Sequence, residues 1–355
     1  MVDTARRRTS ASSVRRSATA ALLAAAAVAG AHAASFDCRS ARTPTEKAIC
    51  GSPKLSTLDE RLTQDYERAL RALSPAGAAR LKESQRGWLR FATQVCVPGK
   101  PAGRGESAAE CLESEFGHRL EQLAQAGLRL GPYVFNRIDY YASGRGRADD
   151  GGEHSGFVTQ HVAFAQIDTP VTAATTAWNA DQRRDEPGAI SVSDDPGDVA
   201  EDDDTDYTLG CAGDRFISVQ VNGSEYQHGT AHGTYDHQVH NTLLVPALRK
   251  MTANDIFAAG APWKARLPTL FWNVYSHEPD ASTDVDSVRQ AIEASAGNPD
   301  AWLLTPAGVQ ISFDAYEAGC YACNPGPITV PWARLKPMLA TPEFAACKAS
   351  PAAKP

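Results

Sequence analysis

Ser35–Cys50 reads SFDCRSARTPTEKAIC, Leu55–Tyr66 reads LSTLDERLTQDY, Gln85–Cys96 reads QRGWLRFATQVC, and Cys111–Leu120 reads CLESEFGHRL. The cysteines of this run, Cys38, Cys50, Cys96 and Cys111, are too dense for a reducing compartment unless they hold metal or do redox chemistry, and their spacings fit neither use. Around them Leu55, Leu58, Leu62, Tyr66, Ala69 and Leu73 fall at three- and four-residue steps, which marks one stripe of a helix. The pattern predicts a small all-α bundle stapled by two disulfides. Ser56 is the expected N-cap of the first long helix, with Asp59 in its first turn, and Ser74-Pro75 ends it. A second helix is expected over 76–94 with Leu81, Trp88 and Leu89 inward, stopped by Pro98 and a Gly/Pro-rich loop. A third, over 107–125, buries Cys111, Leu112, Phe116, Leu120 and Leu123, and a short element over 45–50 opens the bundle. Fewer than about 100 residues give a modest core, so each crosslink, at roughly 3 kcal/mol for loops of this size, matters. Four cysteines allow three pairings; local closure, Cys38 with Cys50 and Cys96 with Cys111, is the simplest of them.

Upstream, Arg6, Arg7, Arg8, Arg15 and Arg16 precede a small apolar run from Thr19 to Gly30 and then Ala31-His32-Ala33. That is a positive region, a short apolar region and an A-x-A site, so residues 1–33 are expected to be a signal peptide cut before about Ala34. The apolar run is too short to cross a hydrocarbon core of ~30 Å, so no membrane anchor is expected after cleavage, and the location is periplasmic or secreted. Without residues 1–33, which hold five arginines and one aspartate, 30 basic and 41 acidic residues remain, a net charge of −11. Residues 34–130 carry 15 basic and 12 acidic side chains, and residues 131–355 carry 15 and 29, or −14. Such a field argues against a nucleic-acid partner and favours a cationic one.

Residues 36–123 resemble the N-terminal domain of the LprI-type lysozyme inhibitor family. The resemblance rests on Phe36-Asp37-Cys38, Thr45-Glu46, Ile49-Cys50, Leu55 with Leu58-Asp59, Tyr66, Gln85-Arg86 with Trp88-Leu89, Cys96, Cys111-Leu112 and Arg119. Glu46, Asp59, Tyr66, Gln85, Trp88 and Arg119 are its motif positions here, and Phe116 stands where the family usually has tyrosine. The resemblance implies a bacterial envelope protein that blocks lysozyme.

Beyond a linker at 127–131 the composition changes. Strands are expected over 133–141, 157–167, 215–221, 236–244, 301–304, 309–313 and 328–330, bounded by Gly, Asn, Asp and Pro. Helices are expected over 263–277 and 284–295, with short ones near 252–257 and 332–339. Elements in clusters rather than strict alternation predict an α+β domain with a mixed or antiparallel sheet over 132–348, followed by a tail at 349–355. Ser218-Val219, Tyr226, Gly229-Thr230-Ala231-His232, Asn241, Asp255-Ile256-Phe257, Leu304-Thr305, Gly308-Val309, Phe313, Tyr316-Glu317, Tyr321, Val330-Pro331-Trp332 and Leu335 stand in an order similar to the C-terminal lysozyme-sensing domain of RsiV-type anti-sigma factors. That resemblance implies lysozyme or peptidoglycan contact, with Gly229, His232, Tyr316 and Tyr321 as candidate partner-binding residues. The acidic stretch 194–206 reads as a solvated insertion outside this pattern.

No residue pattern argues for catalysis. His228, His232, His237 and His240 cluster, but in a strand-and-loop context that alternates faces, and there is no H-E-x-x-H. Cys320-Tyr-Ala-Cys323 has redox spacing without a strand-to-helix setting, so structural pairing with Cys211 and Cys347 is expected. The acidic stretch lacks ordered calcium-loop spacing, Gly144-x-Gly146 opens no helix, and no G-x-S-x-G elbow is present. The expectation is a non-enzymatic protein without cofactor or metal, whose partner is lysozyme, a basic protein, or peptidoglycan; the alternatives are a non-inhibitory cell-wall or lysozyme-binding module and, after it, a metal-dependent peptidoglycan hydrolase or deacetylase. Its inserting loop is expected at Gly229–His232 or at Lys100–Gly105.

Overall fold

The computed structural model describes residues 34–97, 107–145, 157–184, 201–277, 284–342, 344 and 347. The signal peptide, the Lys100–Gly105 loop, Gly146, residues 194–200 and the tail at 349–355 lie outside the described residues. Four helices open the chain, α1 (Pro44–Gly51), α2 (Pro53–Ala72), α3 (Pro75–Cys96) and α4 (Ala108–Gln125). Each starts at a capping side chain, Thr43, Ser52, Ser74 and Ser107, and the first three have proline in the first turn, where a missing N–H costs nothing. Ser52 therefore replaces Ser56 as the cap of α2. Ser56 lies inside the helix, buried, and its hydroxyl donates to the Ile49 carbonyl at 2.7 Å.

Leu55, Leu62, Leu81, Trp88, Leu112, Phe116 and Leu123 form the bundle core, with Trp88 edge-on to Phe116 at 5.1 Å. Leu89, expected inward, is 44% exposed, because the buried stripe runs through Leu81, Gln85, Trp88 and Ala92 and the next residue lies about 100° round the helix. Cys38–Cys50 and Cys96–Cys111 close the two local loops.

The chain then enters a sheet. β1 (Leu128–Leu130) occupies the expected linker and turns back into β2 (Tyr133–Arg145). β3 (Phe157–Thr169), α5 (Ala173–Gln182), β4 (Glu201–Ala212), β5 (Phe216–Gln227), β6 (Thr234–Leu243) and β7 (Arg249–Lys250) follow. The seven strands lie side by side in chain order, antiparallel except for the parallel β3–β4 pair. Next come α6 (Ala253–Ile256), α7 (Trp263–Tyr275), α8 (Val285–Gly297), β8 (Leu303–Leu304), β9 (Gly308–Ile311), β10 (Ile328–Pro331) and α9 (Trp332–Leu335), with β8, β9 and β10 in a small antiparallel sheet. Trp178 of α5 lies edge-on to Phe135 at 6.0 Å and shares one core with Ile217 and Val219. A second core gathers Phe257, Trp263, Phe271, Trp302, Val309 and Leu335. The fold is a disulfide-bearing helical region followed by a sheet-rich α+β region.

Two expectations are corrected here. Glu201–Asp206 is not a solvated insertion; it is the first half of β4, paired with β5 along its length and with β3 at Asp203–Thr205. Cys320 and Cys323 do not pair with Cys211 and Cys347. They pair with each other across a 3-10 turn, and Cys211 pairs with Cys347.

Candidate functional site

The bundle docks on the sheet through buried charge. Asp139 of β2 accepts from Arg119 Nη1 of α4 at 2.9 Å, from Arg137 Nε at 2.6 Å and from the Ser84 hydroxyl of α3 at 3.0 Å. Arg119 is further held by Gln85 Oε1 at 3.0 Å, Gln122 Oε1 at 3.1 Å and the Tyr141 hydroxyl at 3.1 Å, and Arg137 by Asp206 Oδ1 at 2.7 Å. His161 bridges Asp139 and Asp204, at 3.3 and 2.5 Å. Burial alone would raise the Asp139 carboxyl, yet Arg137, His161 and Arg119 hold it well below the ordinary range. Burial would lower His161, but its bonds to Asp139 and Asp204 raise it to about 9. A second pin lies at the start of α3, where the Ser74 amide and hydroxyl both donate to Asp168 at 2.6 Å.

The six motif positions of the bundle each take part in its scaffold, Asp59, Gln85, Trp88 and Arg119 from buried positions and Glu46 and Tyr66 from partly exposed ones. Glu46 closes a capping box with Thr43, Asp59 accepts from the Ser35 amide at 2.8 Å, and Tyr66 packs on the bundle core. Gln85 and Trp88 flank Arg119, whose guanidinium lies 5.9 Å from the Trp88 ring centre.

The partner-binding candidates do come together. His232, from the turn joining β5 to β6, stacks on Tyr321 at 3.9 Å, and its Nε2 meets the Tyr316 hydroxyl at 2.9 Å. Tyr321 also lies edge-on to Tyr235 of β6 at 5.7 Å, and Tyr316 is 51% exposed. Gly229 stands at the tip of the same turn with φ +88°, a conformation that suits glycine.

The loop carrying the tyrosines is clamped from several sides. Ala315 N donates to the Tyr235 carbonyl at 2.8 Å, and Asp314 Oδ1 accepts from His237 N at 2.7 Å. Asn324 accepts from Ala318 N and donates to the Tyr235 hydroxyl, each at 2.9 Å, and the Cys320–Cys323 disulfide closes the turn. The result is a fixed, outward-facing cluster of three rings with hydroxyl and imidazole edges, suited to stacking and hydrogen bonding.

The four histidines of the sequence cluster go separate ways: His228 to Asp202 at 2.8 Å, His237 to Asp314, His232 into the aromatic cluster, and His240 to solvent. Among the described residues, the ligand atoms that lie within 4.8 Å of one another belong instead to Glu201, Asp203 and Glu225. Glu201, hydrogen-bonded to Glu225 and close to Asp203, is raised to about 7. Sequence reading missed Arg137, Asp139 and His161. Their signal was the alternation Arg137-x-Asp139-x-Tyr141, which places a charged row on one face of a strand. No helix among the described residues is long and apolar enough to cross a membrane.

Residues 38–123 match the family model described as "Lysozyme inhibitor LprI". Two solved structures are similar to the chain. One is a DUF3298 family member from Bacteroides fragilis NCTC 9343, at 14% identity and TM-score 0.40, covering 60% of this chain and 97% of that one. The other is a DUF3298 family protein from Pseudomonas aeruginosa PAO1, at 15% identity and TM-score 0.37, covering 60% and 96%. No curated protein matches the chain.

Proposed function

We propose that this chain is an exported envelope protein that binds lysozyme and blocks it, protecting peptidoglycan. The observation that carries the reading is the match of residues 38–123 to the lysozyme-inhibitor family. The disulfides support an oxidising location. A lysozyme cleft works with two carboxylates, one kept protonated by an apolar surround. A blocker needs only a rigid element that fills the cleft and offers donors to those acids. Tyr316 and Tyr321, pinned by Asn324 and the Cys320–Cys323 disulfide, supply such an element without any covalent step. Animal-type lysozymes are basic, so the 15 basic and 29 acidic residues over 131–355 steer the encounter.

Titrating the mature protein into a lysozyme turbidity assay tests the reading. Stoichiometric loss of lysis is expected. Binding with undiminished lysis would leave a sensing or wall-associated module, and altered muropeptides in the absence of lysozyme would mean an enzyme instead.

A further inference from the structure

Cys320–Cys323 encloses the shortest loop of the four crosslinks, a sequence separation of 3 against 12, 15 and 136. In the chain-entropy account so small a closure constrains the unfolded chain least, and the fold depends on it least. It is also the easiest to reach. Cys320 is exposed and Cys323 half-buried, whereas Cys211 and Cys347 are 0% and 8% exposed and Cys96 is 4% exposed. Cys38, Cys50 and Cys111 are half-buried. Exchange needs a thiolate to reach a sulfur, so access ranks this bridge first.

The small loop carries a ring of the aromatic cluster. Tyr321 and Ala322 are its inner residues, and Tyr321 stacks on His232 at 3.9 Å. Within the turn, Cys323 N donates to the Cys320 carbonyl at 2.8 Å. The flanking chain is held by bonds that do not involve the disulfide. Ala315 N donates to the Tyr235 carbonyl and Ala318 N to Asn324 Oδ1, while Asn324 Nδ2 donates to the Tyr235 hydroxyl and the Asp314 carbonyl. Tyr316 has its own bond to His232 Nε2. Opening the bridge therefore loosens 320–323 and leaves the base of the loop in place.

We infer that Cys320–Cys323 is a thiol–disulfide exchange site, open to a protein dithiol while the chain stays folded, whose reduction frees Tyr321 from His232 and weakens partner binding. A thiolate of the reductant attacks Sγ of Cys320, forming a mixed disulfide there, and Cys323 leaves as the thiolate. The second thiolate of the reductant then attacks its own sulfur in that mixed disulfide and releases Cys320. Two electrons pass to the cysteine pair, two protons follow from the reductant by way of water, and the reductant ends as its own disulfide. The exchange is independent of the partner's identity; its effect on binding rests on the reading that the tyrosine cluster contacts lysozyme.

The full mature protein is titrated with dithiothreitol, free thiols are capped with N-ethylmaleimide, and the capped cysteines are located by peptide mass mapping. Cys320 and Cys323 are expected to be capped at reductant concentrations at least about tenfold below those that open the other three bridges, with the melting temperature nearly unchanged. In that state hydrogen exchange over 320–323 should quicken while the Ala315 and Ala318 amides stay protected. Lysozyme affinity should fall by about tenfold and return on reoxidation. Cys320→Ser combined with Cys323→Ser should copy the reduced state and no longer respond to reductant. Should that double variant fold poorly, the titration of the native protein decides alone. Opening of this bridge only together with Cys211–Cys347, selective opening with unchanged exchange over 320–323, or full lysozyme affinity in the selectively reduced protein overturns the proposal. An oxidised protein that does not bind lysozyme sinks the lysozyme reading instead, and the capping and exchange results still decide this one.

Discussion

Arg119 of α4 and Asp139 of β2 meet at 2.9 Å with both side chains shut off from solvent, at 0% and 1% exposure. An ion pair that deep is favourable only when its remaining hydrogen-bonding capacity is met. Ser84, Gln85, Gln122 and Tyr141 meet it around Arg119, and Arg137 and His161 around Asp139. The network draws on α3, α4, β2 and β3 at once. Through it the stapled bundle and the sheet hold each other, and β2 in turn supports the strands that carry the aromatic cluster.

Asp139→Asn leaves two buried guanidinium groups without their shared counter-charge. The expected cost is about 3–5 kcal/mol. Urea unfolding checks it, and a single transition whose midpoint falls as a whole is expected, because the residue serves bundle and sheet together. Two separate transitions in the native protein would refute the shared network.

His161 gives the pH dependence. Its folded value, about 9, lies above the ordinary 6.5. The folded state therefore holds a proton that the unfolded state has released, and stability falls as pH rises through this window. The contribution is complete below about pH 6.5, fades by about pH 9, and is on the order of 3 kcal/mol. Melting curves over that range should slope downward in the native protein and flatten in His161→Gln. Asp139 acts in the opposite sense: its depressed value stabilises above the ordinary carboxylate range and is lost in acid.

The disulfides differ in what they close. Cys96–Cys111 spans 15 residues and Cys211–Cys347 spans 136. In the chain-entropy account, removing the first by paired serine substitutions costs about 3 kcal/mol and the second about 5 kcal/mol. Denaturant midpoints measure both, and thiol labelling of the native protein should find nothing to react with, since all eight cysteines are paired.

How much of this was legible beforehand depends on where the information sat. The bundle was written in apolar spacing and cysteine positions, so Leu55, Trp88 and Leu112 landed in the core and the local disulfides formed as the shortest closures. The strands from Phe216 onward, β7 apart, followed from apolar and turn residues. β4 did not, because Glu201–Asp206 looks like solvent-exposed chain. Its acids are satisfied by residues far away in sequence: Asp202 by Thr159 and His228, Asp204 by His161, Asp206 by Arg137. α5 was missed for a related reason, since a single buried tryptophan, Trp178, anchors a helix with a polar outer face. Of the surface site, His232, Tyr316 and Tyr321 came from family order, while Tyr235 and Asn324, which hold the loop, left no local signal.

Substitution at Tyr316 tests the proposed partner binding apart from the fold. Its φ is +68°, in the left-handed region that disfavours side chains, and its ring is 51% exposed. A non-glycine residue there costs about 1 kcal/mol or more, which is tolerated where a side chain has work to do. Tyr316→Gly relieves the backbone and removes only the ring and its bond to His232. Melting temperature is therefore expected to hold or rise slightly, while affinity for lysozyme falls by about tenfold or more, the usual mark of an exposed aromatic anchor. Tyr321→Ala, which also removes the stack on His232, should match it in affinity. Association rates should drop with added salt for the native protein and both variants alike, because steering comes from the whole acidic region and not from the rings. A Tyr316→Gly protein that binds lysozyme as tightly as the native chain would move the contact surface elsewhere.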